Sequence, residues 1–381
     1  MKSESPILQS RLADWLSRRT LPSGTRRVAS VAAAVASEIG SVRDENQDRA
    51  VVARFAGAKG CSCVVLAVAD GIGGMRDGAN CASLAISSFL AALYARSQSS
   101  SDVESWLGRA AADANSAVFD RYDGFGGSTL VALVVRGNQP TFWLSIGDSR
   151  VYRSNVHLRN LQQLSVDDTI AGQLQIGLRG ELEQSQLLQF VGMGKHLEPN
   201  IDRLAVEISG SVLLTTDGVH FLDAPDGVLG SVVNNAPDPG ACVKRLVELA
   251  KWCGGPDNAT AAMIDLSPKS EAEQEVPSGC LEIWDAFGEL QVIESAMSLA
   301  FDDRDQKIST RQYLTGSERP VLEKNAAGES SSYSQPKTRR ARLNKDGLQQ
   351  KNTPRKSYRG RNKPTEGGTP ELLMVFPKSS N

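Results

Sequence analysis

The sequence predicts an α+β fold in which mainly antiparallel sheets pack with long helices. Short runs rich in Val, Ala and Leu, bounded by Gly, Asp and Asn, are typical of strands. Helical periodicity appears in three longer segments, two of them in succession. Because strands and helices do not alternate, a doubly wound parallel sheet is disfavoured. The strand-like runs are Val31–Ala36, Ala50–Phe55, Cys63–Ala69, Thr129–Val135, Thr141–Ile146, Leu204–Ile208, Val212–Thr215 and Ala259–Ile264, and the helical segments are Asn80–Ala95, Asp102–Asp120 and Pro239–Trp252.

The composition restricts the chemistry that the protein can perform. The chain has 381 residues, with 42 Lys and Arg, 44 Asp and Glu, three His and six Cys. No C-x-x-C or H-E-x-x-H pattern occurs. Carboxylates would therefore have to supply most of the ligands of a catalytic metal, which favours Mg²⁺ or Mn²⁺ over zinc. The N-terminus has no secretory signal, and no run reaches the roughly 18–20 apolar residues of a membrane span. We therefore expect a cytoplasmic protein with reduced thiols and no membrane contact.

The charge is unevenly distributed along the chain. The net charge is −2, but the segment 336–363 contains eleven Lys and Arg and one acid, a net of +10, which leaves −12 for the rest. The predicted organisation is an N-terminal arm with an amphipathic helix (1–27), a globular domain (28–267), a linker with an appended helix (268–302) and a basic, disordered tail (303–381). The tail could bind an acidic partner, regulate the globular domain or remain solvated. Its few aromatic residues argue against nucleic-acid binding.

Five short segments each place an Asp beside small or polar residues at the end of an apolar strand. A single Asp-Gly is an ordinary turn dipeptide, but five such ends could bring several carboxylates together. Two hard cations about 3.5–4 Å apart require a cluster of this kind. The segments are Arg43–Asp48, Val68–Gly74, Ser145–Arg150, Thr215–Gly218 and Asp257–Thr260.

These segments resemble the ordered motifs of the metal-dependent protein serine/threonine phosphatases of type 2C (the PPM family), in their compact bacterial form. The motifs appear as R-x-x-N-x-D, D-G-x-G-G, G-D-S-R, T-D-G and D-N-x-T, with G-[ST]-T at Gly127–Thr129 and D-x-[ST] at Asp167–Thr169. The resemblance covers about residues 28–266. It implies a four-layer α-β-β-α sandwich of two mainly antiparallel sheets flanked by helices.

The resemblance also implies a role for each matching residue. Two Mg²⁺ or Mn²⁺ ions would be bound by Asp70, the backbone carbonyl of Gly71, Asp217 and Asp257, with Asp48 acting through a water. Arg43 would bind phosphate, and Asp148 would bind a third, weaker ion. Asn258 would orient Asp257 or a water. The predicted catalytic residues are Arg43, Asp48, Asp70, Asp217 and Asp257.

The sequence departs from the family pattern at three positions: Gln47, Ile72 and Asp168. The last two stand where some members have a histidine, so water must protonate the leaving group. The predicted activity is hydrolysis of phosphoserine and phosphothreonine in proteins by a monomer that opposes a Ser/Thr kinase. The alternative is a catalytically degenerate scaffold or sensor that acts through its C-terminal region.

Overall fold

The computed structural model describes residues 5–57, 60–97, 102–137, 139–155, 160–173, 186–195, 197–204, 210–223, 227–267 and 279–293. The chain divides into two units, residues 1–308 and 309–381, and all of the described residues belong to the first. The predicted disordered tail (303–381) lies outside the described residues.

The described residues form thirteen strands and seven α-helices. The strands are β1 (Ser23–Val28), β2 (Ala33–Glu38), β3 (Arg49–Ala56), β4 (Ser62–Ala69), β5 (Leu130–Arg136), β6 (Phe142–Ile146), β7 (Arg150–Asn155), β8 (Asn160–Gln163), β9 (Asn200–Arg203), β10 (Gly210–Thr215), β11 (Ala259–Asp265), β12 (Cys280–Trp284) and β13 (Glu289–Ile293). The helices are α1 (Ser5–Leu16), α2 (Gly78–Ser97), α3 (Val103–Tyr122), α4 (Ile170–Gln173), α5 (Asp217–His220), α6 (Val228–Asn235) and α7 (Pro239–Trp252).

The strands build two antiparallel sheets. Sheet I has the order β1-β2-β11-β10-β7-β8, and sheet II has the order β13-β12-β3-β4-β5-β6-β9. The central strands are buried along almost their whole length: all six residues of β2 are buried, as are seven of the eight in β3. Strands covered on both faces carry continuous apolar runs rather than alternation, which is why the sequence revealed them.

Three hydrophobic cores separate four layers. One core joins α1, α2 and α3 to the outer face of sheet II, and it includes Leu12, Phe89 and Leu107. A second lies between the two sheets, and a third joins sheet I to α6 and α7. The architecture is the predicted α-β-β-α sandwich of antiparallel sheets flanked by helices.

Helix α2 has the length and composition of a membrane span, with a mean hydropathy of 1.4 over its most apolar window. However, 83% of that window is buried inside the protein. Its apolar residues pack against α1, α3 and sheet II, so its hydrophobicity is that of a core helix.

The appended helix predicted within residues 268–302 is wrong for residues 279–293, the part of that range that the structure describes. Residues 280–293 form a β-hairpin instead, and β12 adds to the edge of sheet II beside β3. Leu281 and Ile283 are both buried, whereas Glu282 and Trp284 between and after them are only half-buried, and this two-residue alternation is that of a strand. The predicted strand Leu204–Ile208 falls largely outside the described residues, and β9 occupies residues 200–203 before it.

Candidate active site

Four aspartates lie at one end of the two sheets. In sheet II the first residue of β3 pairs with the last residue of β4, so Asp48 and Asp70 leave the sheet side by side. In sheet I the last residue of β10 pairs with a residue near the start of β11, which brings Asp217 and Asp257 to the corresponding end. The two sheets pack face to face across an apolar core. The four side chains therefore converge from both sheets.

Asp48 is the most deeply buried of these aspartates, with 3% of its surface exposed. Its Oδ2 accepts a hydrogen bond of 2.9 Å from the hydroxyl of Thr216, which belongs to the segment that follows β10. Burial raises the pKa of Asp48 to about 7, the charge of Asp217 adds to the rise, and hydrogen bonds from Thr260 and Thr216 oppose it. The hydrogen bond from Thr216 to Asp48 ties the part of the site that comes from sheet I to the part that comes from sheet II.

Asp70 and Asp217 are half-buried neighbours. Burial, followed by the charges of Asp48 and Asp217, raises the pKa of Asp70 well above its ordinary value. The pKa of Asp217 is also raised by burial and by the charge of Asp257, and a hydrogen bond with the Asp70 side chain opposes that rise. Carboxylates gathered in this way repel one another unless a proton or a cation lies between them.

Asp148 stands on the turn between β6 and β7. The turn is held by Gly147, whose φ is +94° and whose N–H donates to Oδ2 of the buried Asp168 at 2.9 Å. Burial raises the pKa of Asp148 to about 7, with further contributions from the charges of Asp217 and Asp167. Asp148 is thus within electrostatic reach of the other site aspartates.

Arg43 contacts Asp257 directly. Its Nη2 donates to Oδ2 of Asp257 at 2.7 Å, and 44% of the Arg43 side chain is exposed. This hydrogen bond and the charge of Asp257 raise the pKa of Arg43, and the charges of Asp217 and Asp70 add to the rise. The guanidinium therefore lies beside the carboxylates and remains accessible from solvent.

Asn258 fastens the loop before β3 to the start of β11. Its Oδ1 accepts from the backbone N–H of Gln47 at 2.8 Å, and its Nδ2 donates to the carbonyls of Ile39 and Glu45 at 2.9 and 3.0 Å. Only its backbone N–H contacts the Asp257 carboxylate, at 2.8 Å. Its side chain thus positions the Arg43 loop, a connection that the motif spacing alone does not indicate.

Gly71 occupies a position where only glycine fits. A Cβ placed there would collide with the backbone of Gly78, which begins α2. The N–H of Gly71 donates to the carbonyl of Gln47 at 3.2 Å. The strand end that carries Asp70 is therefore held against both α2 and the loop that carries Asp48.

The donor set suits hard divalent cations, which prefer carboxylate and carbonyl oxygens. Two buried oxygens, Asp48 Oδ1 and Asp217 Oδ1, have no hydrogen-bond partner among the described residues. Within the same residues, no three His, Cys, Asp or Glu side chains stand close enough to enclose one ion, and Asp257 contacts Arg43 instead. The site thus has the oxygens that Mg²⁺ or Mn²⁺ would use, gathered but not closed around one point.

Several structural contacts were not foreseen from the sequence. Asp168, which stands where some family members have a histidine, accepts from the Gly147 N–H and from the side chain of Asn200. Among the described residues the single histidine, His220, is buried with its Nδ1 3.2 Å from the Thr215 hydroxyl. The other two histidines lie outside the described residues. No described histidine is therefore placed to protonate a leaving group.

Known proteins with the same architecture identify the family. No protein-family model matches the chain. The chain is 29% identical over 247 residues to the serine/threonine protein phosphatase PstP of Mycobacterium tuberculosis, a match that covers 61% of this chain and 44% of that protein. The PPM Ser-Thr phosphatase MsPP from Mycobacterium smegmatis, whose structure was solved in complex with cacodylate, is 30% identical to this chain. The match covers 63% of this chain and 100% of the MsPP chain, with a TM-score of 0.51. The chain belongs to the PPM phosphatase family.

A second solved PPM phosphatase bears on the metal question. The catalytic domain of PstP in complex with two manganese ions is 28% identical and superposes with a TM-score of 0.51, covering 65% of this chain and 100% of that one. The Staphylococcus aureus phosphatase Stp1, at 20% identity and a TM-score of 0.54, supports the fold. The chain spans 44% of the length of the curated PstP relative.

Proposed function

We propose that this PPM phosphatase hydrolyses phosphoserine and phosphothreonine in proteins, using water activated by two Mg²⁺ or Mn²⁺ ions. The observation that carries the proposal is the convergence of Asp48, Asp70, Asp217 and Asp257 with two unpartnered buried carboxylate oxygens. The manganese ions of the similar PstP catalytic domain support it. A protein of this kind would oppose a Ser/Thr kinase.

The carboxylates that would hold the two ions come from both sheets: Asp70 from sheet II, and Asp217 and Asp257 from sheet I. Such ions supply Lewis acidity, which activates water and offsets the charge of the phosphoryl group. Gly71 would add its backbone carbonyl. Asp48, held by Thr216, would fix a water beside the ions.

Arg43 would bind the phosphate of the substrate. Its planar guanidinium can donate to two phosphate oxygens at once, and 44% of its side chain is open to solvent. Asp257 accepts from one terminal nitrogen of this guanidinium, Nη2, at 2.7 Å. This contact keeps the guanidinium beside the metal-binding carboxylates, where the transferred group must lie.

The proton for the leaving oxygen would come from water. The described histidine, His220, is buried against Thr215, and Ile72 follows Asp70-Gly71. The D-G-x-G-G segment therefore supplies no histidine for this proton. We further propose that the enzyme is cytoplasmic and monomeric, that it opposes a Ser/Thr kinase, and that Asp148 binds a third, weaker ion.

The test is Mn²⁺-dependent hydrolysis of a phosphothreonine peptide by the wild type, Asp70→Asn and Asp217→Asn. Removal of a metal-binding carboxylate should lower kcat by at least 100-fold, because the metal supplies most of the charge stabilisation. Asp265→Asn is the control, since Asp265 ends β11 and pairs with Ser211 near the start of β10, at the end of sheet I away from Asp217. Its activity should equal that of the wild type.

Calorimetric titration with Mn²⁺ separates the enzyme from a degenerate scaffold. The scaffold alternative is favoured by the contact of Asp257 with Arg43 rather than with other carboxylates. An enzyme should bind Mn²⁺ in a way that Asp70→Asn weakens. Absence of binding together with absence of hydrolysis, in both Mg²⁺ and Mn²⁺, would reject the proposed activity.

A further inference from the structure

Arg49, the first residue of β3, connects the Asp48 loop to two helices. Its Nη1 donates to the backbone carbonyls of Asn46 and Asp48, both at 2.8 Å. Its Nε donates to the carbonyl of Leu16 at 2.8 Å and to the hydroxyl of Ser83 at 3.0 Å. One guanidinium therefore joins the loop to the last residue of α1 and to the first turns of α2.

Two of the carbonyls that Arg49 binds, those of Asn46 and Asp48, lie on either side of Gln47. They hold the backbone that carries the Asp48 side chain. The N–H of Asp48 donates to Oδ1 of Asn46 at 3.0 Å, and Nδ2 of Asn46 donates to Ser37 in β2 at 2.8 Å. The backbone on both sides of Gln47 is thus fixed by hydrogen bonds. A small rotation there would move the buried Asp48 carboxylate.

Helix α1 is held in turn by the β12–β13 hairpin. Arg18, just after α1, forms an ion pair with Asp285 in the hairpin turn at 2.8 Å, and it stacks on the Trp15 ring at 4.0 Å. Asp285 also accepts from the N–H groups of Phe287 and Gly288 at 2.8 and 2.7 Å. Leu12 of α1 is fully buried in the core beneath sheet II.

We propose that α1 and the β12–β13 hairpin form a brace that fixes the loop 43–48, and that Arg49 is the positioning residue through which the brace acts. The inference rests on the proposed function, since it assigns the brace a role in metal binding through Asp48. It makes the segments at the two ends of the described chain part of the catalytic unit. A partner that displaced α1 or the hairpin would then change the affinity for metal without touching the carboxylates.

The experiment compares Arg49→Gln with Arg136→Gln in the full chain. Arg54 of β3 would not serve as the control, because it binds Glu282 of the hairpin and so belongs to the brace. Arg136 is a buried arginine of the same sheet. It ends β5 opposite Cys63, at the end of the sheet away from the loop, and it stacks on Trp106 of α3 at 4.7 Å. Three quantities are measured: the Kd for Mn²⁺ by calorimetry, kcat and KM for p-nitrophenyl phosphate, and hydrogen exchange of residues 43–48 in the metal-free protein.

Arg49→Gln should raise the Mn²⁺ Kd about tenfold or more, as loss of outer-shell support does at metal sites. It should lower kcat with less than a twofold change in KM, and it should speed exchange in the loop. Arg49→Lys should restore part of the affinity, because it keeps the charge and a donor. Arg18→Gln should change the same quantities in the same direction by a smaller factor, and Arg136→Gln should leave them unchanged even if it lowers Tm.

Equal loss of Tm in Arg49→Gln and Arg136→Gln, with unchanged Mn²⁺ Kd and unchanged loop exchange, would overturn the brace and leave Arg49 a stabilising residue only. If the wild type neither binds Mn²⁺ nor hydrolyses phosphate, the proposed function fails. The exchange measurement on metal-free protein still decides whether Arg49 fixes the loop. Should Arg49→Gln not fold, Arg18→Gln and Asp285→Asn carry the same comparison, since Asn retains the oxygen that the turn N–H groups require.

Discussion

Replacement of Thr216 by Val removes the hydroxyl that joins the two halves of the active site and leaves the shape almost unchanged. The Thr216 hydroxyl donates to Asp48 at 2.9 Å and accepts from the N–H of Thr260 at 3.1 Å. The residue is fully buried, so water cannot replace the lost partner. The variant therefore measures what the contact between the sheets contributes to stability.

The expected cost follows from the two lost bonds. A hydrogen bond to a buried charged group contributes about 1.5–3 kcal/mol, and one between neutral groups contributes about 0.5–1.5 kcal/mol. Together they predict that Thr216→Val lowers the free energy of unfolding by about 2–4.5 kcal/mol. The neighbouring Thr215 is equally buried, but its hydroxyl contacts the imidazole of His220, so Thr215→Val should cost only about 1 kcal/mol.

The assay is urea unfolding of both variants at pH 8 in the presence of a chelator. At this pH, Asp48, whose pKa burial raises to about 7, is mainly ionised. With an m value near 3 kcal/mol/M, a difference of about 1.5 kcal/mol separates the two midpoints by about 0.5 M. Thr216→Val should also weaken Mn²⁺ binding, and Thr215→Val should not. Equal midpoints for the two variants would refute the reasoning, because they would show that the carboxylate gains nothing from Thr216.

Two further changes test other parts of the structure. Gly71→Ala should abolish activity and lower the free energy of unfolding by more than about 2 kcal/mol, because the new methyl group collides with the backbone of Gly78. Measurements of phosphatase activity and of urea unfolding check this. Burial lowers the pKa of His220 well below its ordinary value, so below about pH 6.5 the unfolded chain binds more protons than the folded one and stability falls as the pH drops. His220→Gln should therefore show a smaller loss of Tm between pH 8 and pH 5 than the wild type.

Each of these changes has an internal comparison. Gly108→Ala is the control for Gly71, since its nearest neighbour would be a side-chain methyl of Ile201 at 3.7 Å and alanine favours the helix by about 1 kcal/mol. The difference between His220→Gln and the wild type at each pH isolates one titrating group. A Gly71→Ala protein with normal Mn²⁺-dependent activity, or parallel Tm profiles for the two histidine proteins, would contradict the structural explanation.

The buried half of the fold could be predicted from the sequence and the edges could not. Strands such as β4 and β11 are covered on both faces, so their apolar runs are continuous. Strand β1, with the sequence Ser-Gly-Thr-Arg-Arg-Val, lies at an edge of sheet I with four of its six residues at least partly exposed and polar, and it gives no such signal. The β12–β13 hairpin misled for a related reason: its apolar residues also fit a helical spacing.

The candidate site, too, could be predicted only in part from the sequence. The motifs identify which aspartates end buried strands, and the structure places Asp48, Asp70, Asp217 and Asp257 together. The contacts that hold them depend on the register between strands that are distant in sequence. The hydroxyl of Thr216 reaching Asp48, and the guanidinium of Arg49 reaching α1, arise from that register, which no short motif contains.

Because the carboxylates come from both sheets, the side chains packed between the sheets affect the geometry of the site. Asp48 and Asp70 belong to sheet II, and Asp217 and Asp257 belong to sheet I, so the distance between the two pairs is set by the side chains packed between the layers. Val68 and Leu214, which lie in that core close to the site, act as spacers. Trimming either of them would let the layers approach or tilt, and the distance between the two pairs of carboxylates would change with it. Activity should therefore respond to the volume of apolar side chains that never touch a substrate.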